Sequence, residues 1–155
     1  MKIKLLVLDI DGVMTDGTKV YDLNGDVIAK SFHDHDFSAI KRFLNDGVTV
    51  IFLSKDDRVN QKMAENRNIQ FIHVQKDTNK FEYLSGLLED HWCNTWDIAY
   101  VGDDIHDIEL LKSVKYGFCP ADAVKEVKDV AYVLPRKSGS GVISELYDWY
   151  QETNT

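Results

Sequence analysis

Two carboxylates, Asp9 and Asp11, follow an apolar run from Ile3 to Leu8 in the segment DIDGVMTDG. Further along stand Ser54 after VIFL, Lys80 opening a helical-period segment, and Asp103, Asp104 and Asp107 in YVGDDIHD. In an open α/β sheet, ligands bind at the carboxyl ends of the strands, where most of these residues fall. One carboxylate there can attack phosphorus to form an aspartyl-phosphate, splitting a hard displacement into two easier ones. A second, two residues on, can protonate the leaving oxygen and then deprotonate a water. Mg²⁺ takes hard oxygen ligands, so Asp9 and Asp103 can hold it and offset the repulsion between an acidic site and a phosphate dianion. Ser54, Lys80 and backbone N–H groups after Asp11 can hold the phosphoryl oxygens. Each residue alone also fits a structural role: DIDG as a solvated turn, Ser54 as a helix N-cap, Lys80 as a solvated lysine, the acidic cluster as a helix N-terminus.

The elements that must position these residues alternate between strand-like and helix-like. Strands are expected at 3–9, 48–53, 70–74 and 97–101, with short ones near 116–118 and 130–133. Helices are expected at 37–45, 57–67, 79–90, 105–113 and 141–150. That order predicts an α/β fold: one doubly wound, Rossmann-like parallel sheet with helices on both faces. Residues 18–32 break the alternation with two β-leaning runs around Asn24 and Gly25, a hairpin inserted after the first strand. A hairpin is marginal alone in water, so this one must pack on the domain or on another subunit.

The 155 residues fit a single domain, 1–155, with no spare length for a cap domain. A hydrophobic fraction of 44% and a charged fraction of 28% are ordinary for a soluble globular chain, and no apolar run nears a membrane span. The N-terminus opens directly on a strand with no signal peptide visible, and Cys93 and Cys119 fit free thiols, so a cytoplasmic location is expected. A net charge of −8 argues against nucleic acid or anionic membrane as a partner.

The set D-x-D-G, Ser after the next strand, Lys, and G-D-D-x-x-D, in this order, resembles the haloacid dehalogenase superfamily. DGVMTDG with its hairpin, KSF, YVGDD and PADA is similar to the small capless subgroup. That subgroup contains 3-deoxy-D-manno-octulosonate (Kdo) 8-phosphate phosphatases and phosphatases of nine-carbon, sialic-type acids. The resemblance implies a Mg²⁺-dependent phosphoric monoester hydrolase acting on a small sugar-acid phosphate. Asp9 would be the nucleophile, Asp11 the general acid/base, and Ser54 and Lys80 the phosphate binders. Asp9, the Asp11 carbonyl and Asp103 would be the metal ligands. It also implies a homotetramer in which the hairpin helps assembly and a neighbouring subunit covers the site.

Residues expected around the substrate or behind the catalytic set are Gly12, His35, Asp36, Lys55, Arg58, Asp104 and Asp107. Where the subgroup has TGR, FNVRDG and GGRGA, this chain has SKD, FHDHDF and SGSGV. Arginines suited to a sugar-acid carboxylate are replaced, leaving Lys41, Lys55, Arg58 or His35 as substitutes. His33 and His35, read as extended, share one face opposite Asp34 and Asp36. Trp92, Trp96 and Tyr100 read as packing residues. The alternatives are a non-catalytic assembly or binding domain of the same fold, or a phosphatase for another small ester. Phosphomutase or phosphonate chemistry would call for a cap or an extra lysine.

Overall fold

The computed structural model describes residues 2–155. Strand β1 (Leu5–Leu8) is followed by the small β2 (Val20–Tyr21) and β3 (Val27–Ala29), then helix α1 (Asp34–Asn45). After these come β4 (Thr49–Ser54), α2 (Val59–Asn66), β5 (Gln70–His73), α3 (Leu84–Asp90) and β6 (Ile98–Val101). The chain closes with α4 (Ile108–Ser113), β7 (Tyr116–Cys119), α5 (Lys125–Lys128), β8 (Tyr132–Val133) and α6 (Val142–Asn154). Short 3₁₀ turns at Lys80–Tyr83 and Ile105–Asp107 lead into α3 and α4, occupying the starts of the expected helices.

Six strands form one parallel sheet in the order β5-β4-β1-β6-β7-β8. Every residue of β1 is buried because helices cover both sheet faces. Leu6, Leu8, Val50 and Phe52 pack with Ile40 and Phe43 of α1 and Leu146 and Tyr150 of α6. Leu5, Val7, Ile51 and Leu53 face the other way, onto Leu84 and Leu87 of α3 and Leu110 and Leu111 of α4. The period-two alternation of a strand thus feeds two cores from one apolar run. This is the doubly wound, Rossmann-like sheet expected, with the hairpin as a separate antiparallel pair.

The winding reverses at β1: β4 and β5 lie to one side, β6, β7 and β8 to the other. At such a reversal the loops leaving adjacent strands diverge and open a crevice. Helix α1 starts earlier than expected, because the His33 ring accepts from the His35 N–H at 3.1 Å and caps it. His33 and His35 therefore sit on a helix start with ring centroids 4.7 Å apart, not on an extended face. Trp92 and Trp96, expected in the packing, are 93% and 67% exposed, while Tyr100 is fully buried.

Candidate active site

Asp9 is the first residue beyond β1, and its N–H continues the sheet ladder by donating to the Val101 carbonyl at 3.0 Å. Its side chain is held in place: Oδ1 accepts from the Ile10 N–H at 2.8 Å and pairs with Lys80 Nζ at 3.0 Å. Gly12 then turns the chain with φ +79°, and a Cβ there would run into the Asp103 carboxylate. No side chain fits where the two loops meet. Gly102 has the same function opposite, where a Cβ would come within 2.6 Å of Asp107. Asp9, Asp11, Ser54, Lys55, Lys80, Asp103, Asp104 and Asp107 all border one crevice of about 300 Å³.

Asp107 is 1% exposed, and both of its oxygens are fully engaged. Oδ1 accepts from Lys80 Nζ at 2.9 Å and the Tyr100 hydroxyl at 2.6 Å. Oδ2 accepts from the N–H groups of Asp103 and Asp104 at 2.9 and 3.1 Å. Oxygens of Asp9, Asp103 and Asp107 lie within 4.8 Å of one another. Since Asp107 has spent its lone pairs on donors, Asp9 and Asp103 are the carboxylates with capacity for a cation. Asp107 instead fixes the Asp103 backbone and the ammonium of Lys80.

The electrostatics agree. Burial pushes the Asp9 carboxyl up, with the Asp107 charge adding to the shift and Lys80 opposing it. Asp103 is raised by burial and by the facing Asp9. Asp107 moves the other way: burial opposes its charge, but Lys80 and the Tyr100 hydroxyl outweigh burial and hold it below the ordinary carboxylate range. Burial would lower Lys80, yet Asp9 and Asp107 together raise it, so it stays an ammonium. Two carboxylates that resist ionisation side by side, made of hard oxygen donors, fit a divalent cation, which would relieve their repulsion.

Ser54 ends β4, and its hydroxyl donates to the Asp56 carbonyl at 3.1 Å while accepting from Asn60 Nδ2 at 3.2 Å. Asp104 accepts from the Ile105 N–H at 2.7 Å and caps the 3₁₀ turn at the crevice rim. The remaining expected residues lie elsewhere. Asp36 is 0% exposed at the α1–α6 junction, where Oδ1 accepts from the Ile143 and Ser144 N–H groups at 2.9 and 3.2 Å. It caps α6 because the free N–H groups of that helix need an acceptor. His35 is exposed beside His33, away from the crevice. Arg58, at φ +41°, pairs with Asp26 of the hairpin at 2.9 Å. Lys41 borders a different groove with Phe37 and Leu44.

Residues that sequence reasoning passed over complete the site. The Lys30 side chain, fully buried, pairs with Asp11 at 2.8 Å and Asp56 at 2.6 Å. Asn60, buried on α2, donates to Asp11 at 3.0 Å. Lys19 pairs with Asp56 at 3.2 Å on the crevice wall. The one local signal was KSF, with a lysine following a β-leaning run.

A family model of haloacid dehalogenase-like hydrolases matches residues 55–146. The chain belongs to this family. Among the curated relatives of this haloacid dehalogenase-like hydrolase is the Kdo 8-phosphate phosphatase of Haemophilus influenzae. It is 32% identical over 151 residues, covering 94% of this chain and 81% of the relative. The cobalt-bound structure of the Haemophilus influenzae phosphatase superposes with a TM-score of 0.89 at 30% identity, covering 97% of this chain and 88% of that one. A Moraxella catarrhalis phosphatase in complex with magnesium, phosphate and Kdo shares the fold, with a TM-score of 0.86 at 22% identity and coverage of 99% and 94%. The family and these relatives mark this hydrolase as a phosphoric monoester hydrolase. Among the described residues, no helix is long and apolar enough to cross a membrane.

Proposed function

We propose that the chain, one capless domain, is a Mg²⁺-dependent phosphatase for a small sugar-acid phosphate, Kdo 8-phosphate or a nine-carbon ulosonate 9-phosphate. The observation that carries this reading is the group of buried Asp9, part-buried Asp103 and buried Lys80 at the winding reversal of the sheet. Asp9 attacks phosphorus, the bond from phosphorus to the ester oxygen breaks, and Asp11 delivers a proton to the departing alkoxide. Asp11 then takes a proton from water as that water attacks the aspartyl-phosphate, releasing inorganic phosphate and restoring Asp9. When bound by Asp9, the Asp11 carbonyl and Asp103, Mg²⁺ supplies positive charge against the phosphoryl dianion. Lys80 is fixed by Asp9 and Asp107 at the crevice wall and presents its charge to a phosphoryl oxygen. Ser54 exchanges its hydroxyl's hydrogen bond to the Asp56 carbonyl for one to a phosphoryl oxygen.

A groove of about 680 Å³ adjoins the crevice, shares Lys55 and His106 with it, and adds His73 and Lys76. Lys55 and Lys76, with the rings of His73 and His106 beside them along the groove, offer donors to a substrate carboxylate in place of the absent arginines. His73 is turned by the Lys55 carbonyl, 3.0 Å from Nε2. The exposed Val20, Tyr21, Leu23 and Ile28 of the hairpin support a homotetramer with a neighbouring subunit over the site. The reading predicts Mg²⁺-dependent phosphate release from ulosonate phosphates, faster than from neutral sugar phosphates. Absence of phosphate release from a sugar phosphate panel and from p-nitrophenyl phosphate would sink it.

A further inference from the structure

Lys30 is a buried charge to which the reaction above assigns nothing. It follows β3, and its side chain is 0% exposed. Nζ donates to Asp11 Oδ1 at 2.8 Å and Oδ2 at 3.0 Å, to Asp56 Oδ2 at 2.6 Å and to Asn60 Oδ1 at 3.1 Å. An ammonium has three protons, and these three side chains take them all. Asn60, 0% exposed, reciprocates: its oxygen accepts from Lys30 and its Nδ2 donates to Asp11 Oδ2 at 3.0 Å. Burying an ammonium is costly unless it is paired and fully hydrogen-bonded, so this arrangement is well determined.

The turn at Gly12 fixes the Asp11 backbone but not its side chain, which keeps two free torsions. Proton transfer demands an oxygen within about 3 Å of the leaving group, and small displacements cost rate steeply. Within the turn itself only Thr15 reaches the carboxylate, at 3.5 Å. Two donors from different elements, one from the hairpin tail and one from α2, fix the carboxylate plane that the turn leaves loose. We infer that Lys30 and Asn60 are the positioning residues of the Asp11 acid/base, and that the hairpin is in the fold partly to carry Lys30 to it. The inference rests on the reading of Asp11 as proton donor.

If Lys30 only pinned the hairpin, its loss would lower all turnover alike. If it aims Asp11, its loss falls on substrates whose leaving oxygen needs a proton. p-Nitrophenolate leaves readily without one; a sugar alkoxide does not. The test compares kcat/KM for a sugar phosphate accepted by the wild type with that for p-nitrophenyl phosphate, in wild type, Lys30→Met, Lys30→Arg and Asn60→Ala. Lys30→Met is expected to lose about 100-fold on the sugar phosphate and under about 5-fold on p-nitrophenyl phosphate. Inhibition by inorganic phosphate should stay within about twofold in the Lys30 variants, since Lys30 does not hold the phosphoryl group in this scheme. Lys30→Arg should recover part of the loss, and Asn60→Ala should show the same selectivity at about 10-fold. Equal losses on both substrates, or none, would overturn the inference; should Lys30→Met fail to fold, Asn60→Ala decides by the same ratio. A wild type that turns over neither substrate overturns the phosphatase reading itself, a separate and distinguishable result.

Discussion

Two buried lysines flank the crevice, and each bridges a carboxylate of the DIDG turn to a carboxylate outside it. Lys80 joins Asp9 at 3.0 Å to Asp107 at 2.9 Å; Lys30 joins Asp11 at 2.8 Å to Asp56 at 2.6 Å. Their surroundings differ. The partner side chains of Lys80 are 9% and 1% exposed, whereas those of Lys30 are 22% and 25% exposed. Lys80 begins the turn leading into α3 and is seated in the sheet core, while Lys30 hangs on a hairpin of two short, exposed strands. The difference matches the chemistry proposed for each side, Asp9 as nucleophile and Asp11 as acid/base. A nucleophile benefits from a dry, fixed setting, where the electrostatics of the site are strongest. An acid/base must meet a departing alcohol and then a water, so its side of the crevice stays open.

The contrast can be broken at several points. The largest effect is expected at the proposed nucleophile: Asp9→Asn should reduce phosphate release by about 10⁴-fold or more with the far-ultraviolet circular dichroism unchanged. Residual turnover near the wild-type rate would remove Asp9 from its role. Next comes stability. Lys80→Met strands two nearly inaccessible carboxylates and should cost about 3–5 kcal/mol in urea unfolding. Lys30→Met leaves carboxylates that water can reach and should cost only about 1–2 kcal/mol. Equal costs would mean that the two sides are not electrostatically distinct.

Asp36 is a third buried acid, but one without a lysine. Its Oδ2 is buried with no hydrogen-bond partner, and burial raises its carboxyl above 3.8 despite two N–H donors from α6. A raised folded value means that the native state binds the proton more tightly than the unfolded chain. Wild type should therefore gain stability relative to Asp36→Asn as pH falls from neutral towards 3.8. At pH 7 the two should differ by no more than about 1 kcal/mol, the usual worth of a helix cap. Urea midpoints across a pH series decide this, and a difference that moves the other way would refute the assignment. The smallest effect is expected on the hairpin that carries Lys30. Leu23, with its side chain wholly in solvent, should tolerate Leu23→Asp within about 0.5 kcal/mol of unfolding free energy. Light scattering should show the same variant dissociating any assembly built on that surface; an unchanged mass would exclude Leu23 from the interface.

Much of the fold was legible because its signals are local. LLVL, TVIFLS and IAYV are apolar runs too short for helices, and the polar residues that end them had to fall on one edge of a parallel sheet. Asp9, Ser54 and Asp103 follow from that edge alone. The departures share another cause. A motif puts His35 and Asp36 beside the substrate and closeness to Ser54 puts Arg58 there, but each side chain meets the partner that packing offers: His33, the N-terminus of α6 and Asp26. Trp92 and Trp96 read as packing residues, yet their loop leaves them in solvent.

The sequence by itself determined the doubly wound sheet, the crevice at its reversal, and the carboxylates and lysine that open onto it, since strand period and strand ends are properties of short segments. Only the tertiary structure decided how those charges are paired. Lys30 lies 19 residues from Asp11, and Asn60 lies 49 residues from it. A lysine next to a strand has no local reason to be buried; it becomes so when the hairpin folds back and two carboxylates and an amide surround its ammonium, offsetting its loss of water.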